Sequence, residues 1–398
     1  MEGISAKLSY LTLLIYPIIL IIACVGLSLY KKGEFNEEYF SINNTKAIQG
    51  IAAICIVCHH TAQRTCAEWL ESGNIVHGLD PFLRTGFLFN AIFFFCSGYG
   101  LYKSYKNKKK YLTGFAKKRM LPVWVPYVIV CFLFTLLRLF YFKERMSIVY
   151  AITNLTGITI GYAFGWYVQV IIIFYAIFYF SFKKSSDDFD AISSVLASVI
   201  MWVIVGILVD HNDWFLTGEW WYNATLLFPI GLIFASQEKT IISELKKHYK
   251  IYFPVSLIAF FVMIRIAIQM EITKGYYGDE MGLKLFKKII FRIQTYVPEV
   301  LSAIIFVLII VMICMKVGFS NKVLDFLGRH TLEIYLTHAF FLEIFAVMYS
   351  WEKESVFYGK PALLLFVTLI GTIISAVILQ KLAGAIIKVI NGKSSKAA

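Results

Sequence analysis

QGIAAICIVCHH, residues 49–60, contains eight consecutive apolar residues, followed by two adjacent histidines, His59 and His60. On an α-helix Gln49 and His60 are eleven positions apart, so they point to the same side and stand about 16 Å apart along the axis. Lys46 falls on the same side. Because ionisable groups inside spanning helices mostly serve a function, this polar stripe predicts a site that ends at His60. The alternative is a histidine pair at the level of the lipid headgroups.

The composition excludes a soluble globular protein. Of the 398 residues 59% are hydrophobic and only 16% are charged, and the mean hydropathy is +0.70, whereas soluble chains are about one-quarter charged. The net charge of +13 does not indicate nucleic acid, because the lysines and arginines lie in short runs between apolar segments. The cysteines fall mainly in apolar segments, so no disulfide framework is expected. The sequence predicts an all-α, polytopic membrane protein embedded in the lipid bilayer.

The apolar segments predict about eleven spanning helices, at about 20 residues per span. The first is too long and too poorly flanked for a cleaved signal peptide. The segments are 8–30, 45–63, 85–105, 121–142, 165–182, 191–209, 220–236, 251–269, 297–316, 330–350 and 361–390.

The loop charges predict the orientation. When alternate loops are assigned to the two sides, one side receives nearly twice as many lysines and arginines as the other. This bias predicts a cytoplasmic C-terminus and an external N-terminus. Lys46 then lies near the cytoplasmic end of its helix and His60 near the outer end.

The sequence supports two more specific structural predictions. Residues 282–293, GLKLFKKIIFRI, have apolar and basic residues on opposite helical faces, which predicts a helix lying flat on the outer leaflet. Arg265 is a single cation inside a span, and we expect it to pair with a carboxylate such as Glu299 or Glu333.

Residues 93–127, FFFCSGYGLYKSYKNKKKYLTGFAKKRMLPVWVPY, place many cations between two spans. The cations from Lys106 to Lys110 are interpreted as a signal that fixes the orientation of the chain in the membrane. Arg119, at the membrane edge beside Pro122, is interpreted as a phosphate-binding residue. Gly98 and its small neighbours predict close helix packing, because a spanning helix lacks the strand and turn that a nucleophilic serine would need.

Five motifs in this order resemble the acyltransferase-3 family of membrane O-acyltransferases, over about residues 41–390. They are His60 at the end of a span, FFF-x-SGYG, KKRMLPVWVPY, Gly165-Trp166-Tyr167, and LGRHTLEIYLTH from Leu327 to His338. The resemblance implies a ten-helix core preceded by one additional helix. It therefore implies an N-terminal helix and loop in 1–40, a transmembrane acyltransferase domain in 41–390 and a cytoplasmic tail in 391–398.

The resemblance also implies the activity. Members of the family move acetyl or longer acyl groups from cytoplasmic acyl-CoA to hydroxyls of extracytoplasmic glycans. The expected partners are therefore acyl-CoA as co-substrate, a cell-envelope glycan or lipid-linked sugar as acceptor, and the bilayer of the cytoplasmic membrane. No metal, no permanently bound cofactor and no nucleic acid is expected.

The candidate site residues follow from the motif positions. His60 is the expected general base, because an imidazole can take the proton of a sugar hydroxyl near neutral pH. The family usually has Arg or Lys where this chain has Gln49, and Lys46, one turn away, is expected to supply the missing charge. The other catalytic candidates are Glu333 and His338, whose alternative role is structural. The substrate-binding candidates are Lys46, Gln49, Lys117, Lys118, Arg119, Trp166 and Tyr167.

Two other classes of function stay open. A transporter or flippase of lipid-linked sugars or polysaccharide would use the same polar stripe as a permeation path. The absence of internal sequence repeats argues against it. A non-catalytic membrane scaffold would leave the intramembrane polar groups without a purpose.

Overall fold

The computed structural model describes residues 7–71, 74–159, 162–211, 218–275, 283–319 and 321–392. In this part of the chain fourteen α-helices follow one another: α1 (Ile15–Cys24), α2 (Ile42–Thr65), α3 (Asp80–Leu83), α4 (Gly86–Asn107), α5 (Leu121–Phe140), α6 (Ile148–Leu155), α7 (Trp166–Lys184), α8 (Asp188–Leu208), α9 (Leu227–Ser236), α10 (Glu238–Lys274), α11 (Leu285–Cys314), α12 (Lys322–Arg329), α13 (Thr331–Ser350) and α14 (Pro361–Ile390). The all-α prediction is confirmed. Most of the predicted tail, from residue 393 onward, lies outside the described residues, as do residues 1–6 of the predicted N-terminal segment.

The described strands are two-residue segments. β1 (Lys7–Leu8) pairs in parallel with β3 (Val76–His77), and β2 (Ser28–Leu29) pairs antiparallel with β4 (Val317–Gly318). The strand pairs join the segments on either side of α1 to distant parts of the chain, and they do not form a larger sheet.

Among the described residues, seven helices are long and apolar enough to cross a membrane, which supports a multi-pass membrane protein. Two apolar helices, Thr12–Cys24 and Leu227–Ser236, are shorter. Helices α2 and α4 have the length of a span but contain more polar residues. The count of about eleven spans stays a prediction. The seven helices are Ala116–Phe140, Trp166–Lys184, Asp188–Leu208, Glu238–Lys274, Leu285–Cys314, Thr331–Ser350 and Pro361–Ile390.

The prediction of a separate surface helix over residues 282–293 is wrong. From Leu285 onward this segment is the beginning of α11, which continues through Pro298 to Cys314. Its presumed polar face is partly internal, since Arg292 is only 2% exposed. Arg292 Nη1 donates to the carbonyls of Ile207 and Val209, each at 2.8 Å, and so caps the C-terminal end of α8.

The pairing expected for Arg265 is also wrong. Its side chain is exposed on α10, and no ion pair involves it among the residues that the structure describes. The predicted span 251–269 is part of the longer α10, whose backbone departs from helical geometry at His248.

The chain divides into two compact units. The first contains Met1–Tyr30, Glu38–Phe89 and Val317–Ala398, and the second contains Lys31–Glu37 and Asn90–Lys316. In the first unit α2 packs against α12, α13 and α14.

Two glycines set the spacing between α2 and α12. A Cβ atom on Gly328 would lie 2.5 Å from the Lys46 carbonyl oxygen, and one on Gly50 would lie 2.8 Å from Leu327 Cβ. Any larger residue at either position would push the helices apart. The LGRH motif is therefore held directly against the helix that contains His60.

In the second unit α4 and α9 approach each other in the same manner. A Cβ atom on Gly98 would lie 2.0 Å from the carbonyl oxygen of Phe228, and one on Gly231 would lie 2.3 Å from the carbonyl oxygen of Phe95. The predicted packing role of Gly98 is confirmed.

Candidate active site

The polar stripe lies on a single continuous helix. Helix α2 begins after Ser41, whose hydroxyl accepts a hydrogen bond from the Asn44 backbone amide, and continues to Thr65. Residues 52–58, in its middle, are all buried. This packing fixes the rotation of α2, so Gln49 and His60 share a side as predicted from helical geometry.

A hydrogen bond to Gln63 favours one tautomer of His60. Its Nδ1 lies 2.9 Å from the Gln63 side-chain oxygen, one turn further along α2. An amide oxygen can only accept, so Nδ1–H donates and Nε2 is the basic nitrogen. The ring is half-buried. This arrangement can present a fixed proton acceptor to a substrate.

His338 stacks on His60. The ring centroids are 5.1 Å apart and the planes differ by 15°. His338 is completely buried in α13, and its Nδ1 donates to the Tyr335 carbonyl at 2.6 Å. A base must be held in the correct orientation, and a rigid neighbouring ring restricts the rotation of His60. The structure therefore brings together two of the three catalytic candidates.

His59 has a different environment. Its Nδ1 donates to the Phe82 carbonyl at 2.7 Å, and Gly86 lies so close that a Cβ atom there would be 2.4 Å from the imidazole. The His59 and His60 centroids are 4.8 Å apart. These contacts make His59 a packing residue between α2 and the start of α4.

The third catalytic candidate, Glu333, is not part of this cluster. It is buried in α13, at 9% exposure. No hydrogen bond or ion pair joins its carboxylate to His60 or His338 in the described part of the chain. The Glu333 carbonyl, by contrast, accepts a hydrogen bond from Thr337.

An ion pair lies one turn beyond His60. Arg64, on the same side of α2, pairs with Glu343 of α13. Arg64 is close enough to His60 for their charges to interact, and Glu343 offsets part of the positive charge of Arg64.

At the other end of the stripe Lys46 and Gln49 are half-buried.

The basic candidates lie in the second unit. Lys117, Lys118 and Arg119 belong to a π-helical segment, Ala116–Met120, that leads into α5. Such wide turns interrupt regular helix geometry and are frequent at functional sites. Lys117 and Lys118 are exposed, and Lys118 Nζ donates to the Thr113 carbonyl at 3.1 Å.

Arg119 is the most firmly positioned of these cations. It donates to the Ser104 hydroxyl at 3.0 Å, and its guanidinium lies 5.4 Å from the centre of the Tyr111 ring. Burial raises the pKa of Tyr111 above its ordinary value, although Arg119 acts in the opposite direction. The distance of the guanidinium from the ring is that of a cation–π contact.

Trp166 and Tyr167 are buried at the beginning of α7. Phe94 contacts both, with ring centroids 6.4 Å from Trp166 and 4.8 Å from Tyr167. Trp221 lies beside Trp166, at 6.5 Å. The structure places this pair inside an aromatic cluster, and their role toward a substrate stays a prediction.

Fold and site together define a multi-pass membrane protein with an oriented histidine inside one helical unit. A family profile for an acyltransferase domain matches residues 42–381, more than four-fifths of the sequence, so the chain belongs to the acyltransferase-3 family and is a membrane acyltransferase. Neither a curated protein nor a solved structure matches the chain.

Sequence reasoning missed two elements of the site. Gln63 follows His60 by three residues, a spacing that places two side chains on the same helical face, so this partner could have been found. The Arg64–Glu343 pair joins residues far apart in the sequence, and nothing in either segment indicates the other.

Proposed function

We propose that the chain is an O-acyltransferase of the cytoplasmic membrane, with a cytoplasmic C-terminus. It moves an acetyl group from cytoplasmic acetyl-CoA to a hydroxyl of an extracytoplasmic or lipid-linked glycan, and His60 is the general base. The family supports acyl transfer in general. The choice of base rests on one observation, the hydrogen bond from His60 Nδ1 to Gln63, which leaves Nε2 as the proton acceptor.

The proposed step balances with the two substrates alone. His60 Nε2 takes the proton of the acceptor hydroxyl as its oxygen attacks the thioester carbonyl. A C–O bond forms, the C–S bond breaks, and the proton passes from His60 to the departing thiolate. The products are a glycan ester and free CoA. Gln63 and His338 act as positioning residues, because both contact the imidazole of His60.

The donor is expected to bind through its phosphates. Arg119 is fixed by Ser104 and Tyr111, so its guanidinium loses little freedom on forming a bidentate contact with a phosphate. Exposed Lys117 and Lys118 add positive charge. Lys46 and Gln49 stay substrate-binding candidates on the helix of the base.

Replacing Arg119 with Ala should weaken acetyl-CoA binding about tenfold or more, because a charge-assisted hydrogen bond is lost. Arg119→Lys should recover only part, since Lys cannot form the bidentate contact. Isothermal titration of the purified protein measures both. Lys109→Ala is the matched control, because it removes an equal charge from an exposed position of the same basic segment. Unchanged affinity in Arg119→Ala, or equal losses in Arg119→Ala and Lys109→Ala, would contradict the donor site.

The function itself is tested by mass spectrometry of cell-envelope glycans from a strain that lacks the gene. We expect the glycan to lose one acetyl-sized mass per modified sugar, and the wild-type gene to restore it. Purified protein should also transfer labelled acetyl from acetyl-CoA to the deacylated glycan. A glycan that keeps its mass but no longer reaches the cell surface would favour a transporter instead.

A further inference from the structure

Arg265 is a cation on the exposed side of a spanning helix. Residues 251–270 of α10 form an apolar stretch of the length of a span, and Arg265 is the single charged residue in this stretch. Its side chain is exposed, and no described residue pairs with it. Charged side chains in spanning helices normally face the protein interior and are paired, so Arg265 indicates a partner that the described chain does not supply.

The depth of Arg265 limits its access to water. At 1.5 Å per residue it stands about 22 Å from Lys250 and about 9 Å from Glu271, the charged residues that border the span. The Cα–Cβ bonds of a helix tilt toward its N-terminus, so the Arg265 side chain leaves α10 in the direction of Lys250, the more distant border. It is therefore directed away from the headgroups that an arginine near a helix end can reach.

One side of α10 packs on the protein and the other does not. The Phe260 ring stacks on Phe306 of α11, with ring centroids 5.5 Å apart. Phe260 and Arg265 point about 140° apart around the helix. Only 11% of the most apolar stretch of α10 is buried, against 33–56% in the other six spanning helices of the described chain. The side that contains Arg265 is therefore left uncovered by the described residues.

The uncovered side contains a stripe of exposed residues at alternating spacings of three and four. This period of 3.5 residues is typical of left-handed helix pairs, in which β-branched side chains often fill the contact. Val255 is 56% exposed and Ile258 is 66% exposed. The stripe is about 25 Å long, which is enough for two spanning helices to pack side by side. It consists of Val255, Ile258, Val262, Arg265, Gln269 and Ile272.

The charge of Arg265 defines the chemistry of the partner. A carboxylate at the same depth would neutralise the guanidinium and can accept two parallel hydrogen bonds from it. A second copy of the chain fits less well. Two copies have the same orientation in one membrane, so a symmetric pair of α10 helices would bring two Arg265 side chains to the same depth, where like charges repel each other. The partner is therefore a different, acidic helix.

We propose that the stripe on α10 binds a spanning helix of another protein, which carries an Asp or Glu about 9 Å inside the membrane border marked by Glu271. The carboxylate pairs with Arg265, and apolar side chains of the partner pack between Val255 and Val262. This surface belongs to the second unit, and the proposal does not depend on acyl transfer by His60.

The test measures the binding of a synthetic spanning peptide by energy transfer to the labelled full chain in phosphatidylcholine vesicles. The peptide contains about 20 apolar residues, with Ile and Val at heptad positions and one Asp about 9 Å from one end. A second peptide has Asn in place of Asp. The wild-type chain should bind the Asp peptide about tenfold more tightly than the Asn peptide, because only the carboxylate forms charge-assisted hydrogen bonds with Arg265.

Two pairs of variants test the surface. Arg265→Leu should bind both peptides equally, whereas Lys250→Leu, which removes an equal charge from an exposed position at the border of the same span, should keep the preference for Asp. Val262→Trp should weaken binding of both peptides about tenfold, because the large ring overpacks the contact. Ile200→Trp, at an exposed position of the spanning helix α8, is its matched control and should bind as wild type.

Equal affinities of the wild type for the two peptides, or a preference for Asp that survives in Arg265→Leu, would overturn the proposal. So would equal losses in the two Trp variants. Energy transfer between two differently labelled copies, abolished by Val262→Trp, would identify a second copy as the occupant instead. Loss of the preference when phosphatidylglycerol replaces part of the phosphatidylcholine would identify a lipid phosphate. The two peptides are compared on the wild type, so this result decides even if a variant does not fold.

Discussion

The His60→Ala variant should lose transfer activity by a factor of about 10² to 10⁴, the usual contribution of general acid–base catalysis, and should still accumulate in the membrane. The expected loss follows from removal of Nε2, the nitrogen that takes the hydroxyl proton. Folding should survive because the His60 ring is half-buried and its hydrogen bond to Gln63 stays within one helix. Release of labelled CoA in the presence of deacylated glycan measures the rate per folded molecule. His60→Gln should not restore activity, because an amide is not basic.

Two further variants distinguish the loss of the base itself from a change in the residues around it. His59→Ala removes an adjacent imidazole of the same size, but the hydrogen bond and the tightest packing of His59 are to Phe82 and Gly86, so thermal stability should fall while the rate per folded molecule stays near wild type. Gln63→Leu removes the acceptor that fixes the tautomer, so it should reduce the rate less than His60→Ala. Full activity in His60→Ala, or equal losses in the two histidine variants, would contradict the assignment of the base.

The helical fold could be predicted because its signals are local. Apolar runs of the length of a span predicted an all-α, multi-pass protein, and the eleven-residue separation of Gln49 and His60 predicted that they share one side of α2. The five ordered motifs gave the family, and the expected range of 41–390 agrees closely with the matched range of 42–381. The small residues around Gly98 indicated the close helix contact correctly.

The features of the fold and of the site that the sequence did not predict depend on tertiary contacts. The stacking of His338 on His60 requires α13 to pack beside α2, which the sequence of neither helix specifies. Arg292 was expected to face water because its segment is amphipathic. It is buried instead, beside Asp210, and donates to backbone carbonyls at the end of α8, and such acceptors leave no trace in side-chain patterns. Glu333 was grouped with His338 because both lie in one motif, whereas the fold brings only the histidine to the site.

The Gly98→Ala variant should be strongly destabilised. The added methyl group would lie 2.0 Å from the Phe228 carbonyl oxygen, and a backbone atom cannot move away by changing rotamer, so α4 and α9 must separate. Overpacking of this kind typically costs about 1–3 kcal/mol, and it is larger where the backbone must shift. We expect a lower melting temperature in detergent and a smaller monodisperse fraction on size-exclusion chromatography. Gly231→Ala, on the facing helix, should behave in the same way because its methyl group would lie 2.3 Å from the Phe95 carbonyl oxygen.

Gly100→Ala is the matched control for this prediction. Gly100 lies on α4 only two residues from Gly98, but no atom of another described element lies within 4 Å of the position that its Cβ would take. Alanine is favoured over glycine inside a helix by roughly 1 kcal/mol, so Gly100→Ala should melt at or slightly above the wild-type temperature. The two substitutions are chemically identical and nearly adjacent, so only the contact with α9 distinguishes them. Equal melting temperatures for Gly98→Ala and Gly100→Ala would show that α4 and α9 do not pack at this distance.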